Sequence, residues 1–362
     1  MKTEEYFQRR SKRVIDIMED NDVDAMLVTN LINVRYLTDF PGTAGCLIVT
    51  PEKNIFFTDF RYNLLSRERV KNAEIRIVKD MLESVAEALL ELDIDRIGIE
   101  AGYVTLADCD KMKKKLEGIT LVPRKGIVDR ARQFKDVLEI DVIKRAIAIS
   151  GKSFEETIPK IKEGVTEKQL EIELKCSFLR NGADAVSFEP IILTGQRSAS
   201  PHALCGQNQI ENNRLLLMDF GVMLEGYMSD TTRTMKIGNP PDKLKTIYEL
   251  VNEARLAAIA AVKPGVTMKE IDLTARDIIE KAGYGEYFGH GTGHGVGLEI
   301  HEAPTVSFRS EDPAIEGMVF TIEPGIYLPG MGGVRLEDMI LVTKTGCEVL
   351  TEPIPYIETS SL

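Results

Sequence analysis

Short apolar runs alternate with longer amphipathic stretches through the first third of the chain. The runs "DAMLVT", "GCLIVT", "NIFFTDF", "EIRIV" and "RIGIE" have the length and β-branched or aromatic content of strands. Between and after them, "SVAEALLELD" and "LADCDKMKKKLEG" carry helical spacing and charge, so this part reads as an α/β domain. A polar stretch marked by Pro and Gly, "VPRKGIVDRARQFKD" (122–136), then leads into a long helical pattern, "VLEIDVIKRAIAISGKSFEETIPKIKEG". This places a domain boundary near residue 125, with an N-terminal α/β domain over 1–125 and a second domain over 126–362. A chain of 362 residues is long enough for two cores.

The second domain repeats itself. "IKEGVTEKQLEI" (161–172) aligns without gaps on "VKPGVTMKEIDL" (262–273), an offset of 101 residues. Thr166 is followed three residues later by Gln169, and Thr267 by Glu270, the capping-box pattern of a helix start. After each helix the period changes from helical to alternating. "RLLLMDFGVMLEGYMSDTTRTMKIG" reads as two strands around a turn near Leu224 and Glu225, which makes Asp219 and Asp230 direct cross-strand partners with Cβ atoms about 5 Å apart. "MVFTIEPGIYLPGMGGVRLEDMILVT" is a second strand-loop-strand, and centring it on Gly330 pairs Glu323 with Glu337. The two carboxylate pairs lie 104 and 107 residues apart, and His202 and His301 lie 99 apart, all close to the repeat offset. A duplicated helix-plus-hairpin half, with its copies face to face, brings both pairs to one pseudo-symmetric centre.

Four acids set among Leu, Met, Phe and Ile cannot all stay ionised in a sheet interior without a counter-charge, because each unpaired buried charge costs several kcal/mol. Two divalent ions balance four carboxylates, and an oxygen-rich set with one imidazole suits Mn, Co, Fe or Zn. The chain holds only four histidines, and three of them, His290, His294 and His301, fall in "GHGTGHGVGLEIHE". Glycine at every second position from 289 to 297 disfavours a helix and admits a second backbone at close range. In an extended segment His290, Thr292 and His294 share one face, and His301 joins them only if the chain bends between Gly295 and Gly297.

Charge narrows the partners. The chain has 45 basic and 57 acidic residues and a net charge of −12, which argues against nucleic acid and against an anionic membrane surface. No run approaches the roughly 18 apolar residues of a membrane span. The charged start "MKTEEYFQRRSKR" does not read as a secretory signal. Five scattered cysteines form no CxxC pair, so the expectation is a cytoplasmic protein without a disulfide framework or a thiolate zinc site.

In order and spacing, "LLLMDFG", "SDTTRT", "GHGTGHGVGLEIHE", "TIEPGIYL" and "GVRLED" resemble the pita-bread metallopeptidases: Xaa-Pro aminopeptidase, Xaa-Pro dipeptidase (prolidase) and methionine aminopeptidase. The resemblance covers 126–362 and implies an α+β protein with a pita-bread catalytic domain. It implies a dinuclear site, with Asp219, Asp230, His294, Glu323 and Glu337 as ligands of two divalent ions (Mn, Co or Zn). It also puts His202 and His301 beside the substrate and His290 next to the metals. The N-terminal third, with "VRYLTDF" and "FFTDFRY", resembles the smaller domain of the proline-specific members and of creatinase. Methionine aminopeptidases lack that domain and creatinase lacks the metal ligands.

The implied reaction is hydrolysis of an Xaa-Pro bond by a water that two metals activate. Glu323 is the candidate general acid/base, and His301 and His202 are candidate hydrogen-bond donors to the scissile carbonyl. Arg335 shares a strand face with Glu337 and is a candidate to hold a ligand carboxylate in register. Tyr327 and Phe188 are candidates for the pocket wall. Many bacterial prolidases are similar but carry Arg directly after the first histidine of the glycine-rich motif, where this chain has Gly291. That departure favours the aminopeptidase, acting on peptides with proline in the second position, over the dipeptidase. A metal-free binding protein and a creatinase-like hydrolase of a small non-peptide substrate are the rival classes. The family further implies a homodimer.

Overall fold

In a computed structural model, which describes residues 3–356 and 358–359, the alternating pattern of the first third becomes a six-stranded mixed sheet. Its strands are β1 (Met26–Val28), β2 (Cys46–Val49), β3 (Asn54–Thr58), β4 (Glu74–Ile77), β5 (Arg96–Glu100) and β6 (Thr120–Arg124), in the order β4-β3-β2-β1-β5-β6. Every residue of β1, β2 and β3 is buried, which is why these strands read as unbroken apolar runs rather than alternating ones. The helices of this unit are α1 (Thr3–Asp20), α2 (Leu31–Thr38), α3 (Asn63–Arg69), α4 (Met81–Glu91), α5 (Leu106–Lys115) and α6 (Ile127–Arg132).

Two of these elements stand where the sequence pattern shows mainly charge. Helix α1 buries Phe7, Val14, Ile15 and Met18 on one face, while the other face carries the charged residues that dominate its composition. Helix α6 lies in the stretch expected to lead out of the first domain, yet it buries Ile127, Val128, Ala131 and Arg132. Arg132 Nη1 donates to Asn33 Oδ1 at 2.9 Å. The chain therefore divides between Arg132 and Gln133, beyond residue 125.

The second unit is built twice over. Helices α7 (Val137–Thr157) and α8 (Glu167–Arg180) precede strands β7 (Ala185–Val186), β8 (Ile191–Thr194), β9 (Arg214–Phe220), β10 (Val222–Leu224), β11 (Tyr227–Met228) and β12 (Thr231–Ile237). Helices α9 (Asp242–Ala261) and α10 (Met268–Lys281) precede β13 (Gly293–Gly295), β14 (Glu302–Val306), β15 (Val319–Ile322), β16 (Gly325–Leu328), β17 (Gly332–Arg335), β18 (Asp338–Val342) and β19 (Cys347–Val349). A last strand, β20 (Glu358–Thr359), runs parallel to β12. Helix α7 stops at Thr157, seven residues short of the sequence pattern, where a 3₁₀ turn containing Pro159 replaces it. Helices α8 and α10 begin 101 residues apart, and both expected capping boxes form, Thr166 with Gln169 and Thr267 with Glu270. Thr166 bridges Gln209 and Thr267 bridges Pro313, so even the contacts of the caps are duplicated. Among the described residues no helix is long and apolar enough to cross a membrane.

The hairpin registers decide where the acids sit. In the second copy Gly325 faces Arg335 and Ile322 faces Asp338, so Glu323 and Glu337 stand opposite each other at the junction of two ladders, as the centring on Gly330 requires. The first copy differs from expectation. Leu224 pairs with Tyr227 and Asp219 with Thr232, which moves the turn one residue on, to Glu225 and Gly226. Both turn residues have positive φ, 48° and 81°, as a two-residue hairpin turn of matching twist demands. Asp219 and Asp230 are therefore diagonal neighbours on one face instead of direct partners, with Thr232 facing Asp219.

Candidate metal centre

Five strands deliver the site, four of them from at or near their ends. Asp219 lies near the end of β9, Asp230 immediately before β12, His294 in β13, Glu323 just after β15 and Glu337 just before β18. The two halves meet where the Glu337 N–H donates to the Thr232 carbonyl at 3.1 Å and Thr232 Oγ1 donates to Glu337 Oε2 at 2.7 Å. Asp230, His294 and Glu337 each offer a ligand atom, all within 4.8 Å of one another. His294 Nε2 lies 3.3 Å from Glu323 Oε1 and 3.6 Å from Asp230 Oδ2. Asp219 enters through Arg335, whose Nη2 donates to its Oδ2 at 2.5 Å. A cavity of about 460 Å³ opens onto all five, with Phe188, His202, His290, His301 and Arg335 also in its wall.

The glycine-rich run works as its spacing suggests, over a shorter length. A Cβ on Gly293 would lie 1.9 Å from the Thr321 carbonyl oxygen, and one on Gly295 would lie 2.3 Å from that of Ala303. Only glycine lets His294 be carried this close to the neighbouring strands. Gly293→Ala is expected to displace His294 and abolish stoichiometric metal binding, measured by metal analysis after gel filtration; full metal content in the variant would refute the packing argument. The run is extended only from Gly293 to Gly295, so Thr292 does not share the histidine face; it is buried and its Oγ1 donates to Asp272 at 2.8 Å. The chain does bend after Gly295, following an irregularity in the β13 ladder between His294 and Gly295. The bend returns the His301 ring to 4.3 Å from that of His294, edge to face.

Hydrogen bonds assign the tautomers. Nδ1 of His294 donates to the Gly295 carbonyl at 3.1 Å, which leaves Nε2 as the bare nitrogen turned to the carboxylates. His290 Nδ1 donates to the Gly291 carbonyl at 2.8 Å, so its Nε2 accepts from the Tyr327 hydroxyl at 3.0 Å. That hydroxyl in turn accepts from Arg335 Nη1 at 3.0 Å, while Arg335 Nε donates to Thr232 Oγ1 at 3.0 Å. Tyr327 thus stands behind the cavity wall as a link between Arg335 and His290. Arg335, on the strand face it shares with Glu337, holds the carboxylate of Asp219. Thr232 and Thr321 escaped the sequence reading. Thr321 Oγ1 accepts from the His294 N–H at 3.1 Å and donates to Glu323 Oε1 at 3.3 Å. Both threonines lie within the motifs "SDTTRT" and "TIEPGIYL", and the hairpin register sets which group each one meets.

Burial, then the neighbouring Glu337, Asp219 and Glu323 charges, pushes the Asp230 carboxyl well above its ordinary range. Glu337 is pushed up by burial, then by Glu323 and Asp219. Burial also raises Glu323, against the opposing pull of His290 and Arg335. Burial lowers His294, His290 and His301, so the imidazoles favour the neutral form. For Arg335, burial works against its charge, but Tyr327, Asp219 and Glu323 outweigh it and hold the guanidinium protonated. Asp219 Oδ1 and Glu337 Oε1 are buried with no hydrogen-bond partner among the described residues. A bare imidazole nitrogen facing two carboxylate oxygens, together with two orphaned oxygens, leaves acceptors aimed at acceptors. The donor set of carboxylates and one imidazole fits divalent cations of the Mn, Co, Fe or Zn type.

The comparisons with known proteins rest on the same residues. Residues 141–344 match the model of Metallopeptidase family M24, a stretch that contains all five clustered residues together with His202 and His301. The chain belongs to metallopeptidase family M24. Residues 10–134 match the Creatinase/Prolidase N-terminal domain, which spans the six-stranded sheet. Among solved structures, the M24 chain is similar to a Xaa-Pro dipeptidase from Bacillus anthracis, with 39% identity, a TM-score of 0.94, and 98% of this chain and 100% of that one covered. It is also similar to an X-Pro aminopeptidase from Thermotoga maritima, with 35% identity, a TM-score of 0.89, and coverage of 97% and 100%. A curated relative, the Xaa-Pro dipeptidase of Pyrococcus horikoshii, is 38% identical over 345 residues, covering 94% of this chain and 96% of the relative.

Proposed function

We propose that this M24 chain holds two divalent ions among Asp219, Asp230, His294, Glu323 and Glu337 and hydrolyses the Xaa-Pro bond at the N-terminus of peptides. The observation that carries the proposal is His294 Nε2, a bare nitrogen 3.3 Å from Glu323 and 3.6 Å from Asp230 among buried acids. The names of the relatives from B. anthracis, T. maritima and P. horikoshii support proline as the residue after the cleaved bond. When bound, the ions supply Lewis-acid polarisation of the scissile carbonyl and a water of near-neutral pKa.

The remaining roles belong to side chains. Glu323, its proton affinity raised by burial, accepts the proton of the attacking water and returns it to the departing proline nitrogen, which has no N–H of its own. His301 and His202, both in the cavity wall, donate hydrogen bonds to the scissile oxygen as charge develops there, a contact worth about 3 kcal/mol. Phe188 flanks the same cavity and offers an apolar surface to the substrate. The intact acid and imidazole cluster speaks against a metal-free binding protein.

Longer peptides are the preferred substrates in this proposal. Arg335 is the one Arg or Lys in the described cavity wall, and each of its three nitrogens already donates, to Asp219, Tyr327 and Thr232. Gly291 adds no guanidinium, so the wall offers the free carboxylate of a dipeptide no second arginine. Dipeptide hydrolysis is the second reading, favoured by the names of two of the relatives. Xaa-Pro-Yaa is expected to exceed Xaa-Pro in kcat/KM by about tenfold, the scale of one lost charged contact. Equal or better use of Xaa-Pro selects the dipeptidase, and no cleavage of either with Mn, Co or Zn rejects the peptidase.

Metal binding should be coupled to protons. Asp230, Glu323 and Glu337 hold their protons to higher pH in the metal-free fold than as free carboxyls, so binding a cation expels protons and the apparent affinity rises with pH. The same upward displacement means that the stability these groups contribute, present at acid pH, is lost as pH climbs through their folded values. Titration calorimetry of the chelated protein in two buffers of different ionisation enthalpy measures the release, and identical heats in both buffers would contradict it.

A further inference from the structure

An ion pair on α10 lies outside the machinery described so far. Asp272 is fully buried, and its carboxylate accepts from Arg276 Nε at 2.8 Å and Nη2 at 2.9 Å. It also accepts from the Thr292 N–H at 3.0 Å and Thr292 Oγ1 at 2.8 Å. Arg276 reaches past its partner, donating to the Phe288 carbonyl at 3.0 Å and the His290 carbonyl at 2.8 Å. Its guanidinium stacks 4.3 Å from the centre of the Phe288 ring. On the far side of the same segment, the Thr292 carbonyl accepts from the Glu323 N–H at 2.7 Å. One helical turn therefore grips the 288–292 segment at both ends, and that segment carries His290 and abuts Glu323.

The first half of the repeat holds the same pair in a looser form. At the 101-residue offset Glu171 stands for Asp272 and Lys175 for Arg276. Lys175 is 3.5 Å from Glu171 and 2.6 Å from Glu189, a side-chain contact with no grip on backbone carbonyls. A lysine is a point charge, whereas the arginine fork can satisfy a carboxylate and two carbonyls together. The half that presents His290 and His294 is the half with the fork.

We propose that Asp272 and Arg276 are positioning residues, a clamp that holds the 288–292 segment so that His290 and Glu323 keep their register across the cavity. The proposal deepens the function assigned above and rests on the role given there to Glu323. Arg276→Lys, Arg276→Met and Asp272→Asn test it, with Lys269→Met, on the same helix and paired among the described residues with exposed Glu311, as the control.

Because the chain has four histidines, ¹⁵N-labelled imidazole spectra, assigned by single His→Gln changes, report each ring at fixed pH without any turnover. The His290 signals are expected to shift or broaden in Arg276→Met and Arg276→Lys while those of His202 stay. The kcat should fall about 10-fold in Arg276→Lys and about 100-fold in Arg276→Met, with KM changed less than about two-fold. Should Arg276→Met fail to fold, Arg276→Lys decides, since it keeps the charge and removes the fork. Unmoved His290 signals, full kcat in Arg276→Lys, or an equal loss in the Lys269→Met control each overturns the clamp. If the wild-type protein cleaves no Xaa-Pro peptide, the peptidase proposal fails, and the imidazole spectra still decide this one.

Discussion

Glu323→Gln is expected to lower kcat for Xaa-Pro-Yaa by about 10³-fold, the scale of a lost general acid/base, with KM changed by no more than a few-fold. The amide keeps the volume of the side chain and can still accept from Thr321 Oγ1, which lies 3.3 Å away, but it cannot take a proton from water and return it to the proline nitrogen. The same change should make the metal-free protein more stable at neutral pH than the metal-free wild type. Burial raises the Glu323 carboxyl, so ionising it costs the folded state free energy that the neutral amide does not. Activity and stability should therefore move in opposite directions in one variant. Steady-state kinetics with saturating Mn and thermal melts in chelator measure both, and a kcat within tenfold of wild type removes Glu323 from its assigned role.

Arg335→Met should be the most damaging single change to stability. The guanidinium is buried among Asp219, Tyr327 and Thr232, and Asp219 already has one oxygen without a partner. Removing the cation leaves that carboxylate uncompensated, a loss of about 3–5 kcal/mol by the precedent of broken buried pairs. For a unit of this size the midpoint should fall by about 10 °C. The loss should be larger in chelator than with Mn present, because bound cations take over part of the compensation. Arg335→Lys should recover part of the midpoint and little of the activity, since a lysine cannot engage three acceptors in the plane of a fork. An unchanged midpoint in chelator would show that Asp219 does not depend on this guanidinium.

Local chemistry accounts for what was legible along the chain. Capping boxes at Thr166 and Thr267 are complete within four residues, so both helix starts of the repeat could be placed. The second hairpin announces its centre with Pro329, Gly330, Gly332 and Gly333, and the Glu323 and Glu337 pairing follows. In the first hairpin one of the two turn residues is Glu225 at a φ of 48°, a conformation unusual for a residue with a Cβ. Gly226 marks the second turn position in "MLEGYM", but Glu225 carries no local sign of the first, and a slip of one residue converted diagonal neighbours into direct partners. Helix α1 was obscured because its charged outer face dominates its composition, and helix α6 because six residues are too few to show a helical period.

The amino-acid sequence by itself determined the duplication, the hairpin that pairs Glu323 with Glu337, and the glycine spacing that admits His294 between neighbouring strands. The hairpin and the glycine run depend on residues close together in the chain, and each copy of the repeat carries its own capping box, so spacing, turn chemistry and side-chain volume act locally in all three. The tertiary structure alone decided which cation compensates which acid, that Thr232 joins the two halves through Glu337, and that Asp272 and Arg276 hold the histidine segment. Arg335 is 116 positions from Asp219 and Thr232 is 105 from Glu337. Electrostatic energies depend on distance through space, and only the packing of one half against the other sets those distances.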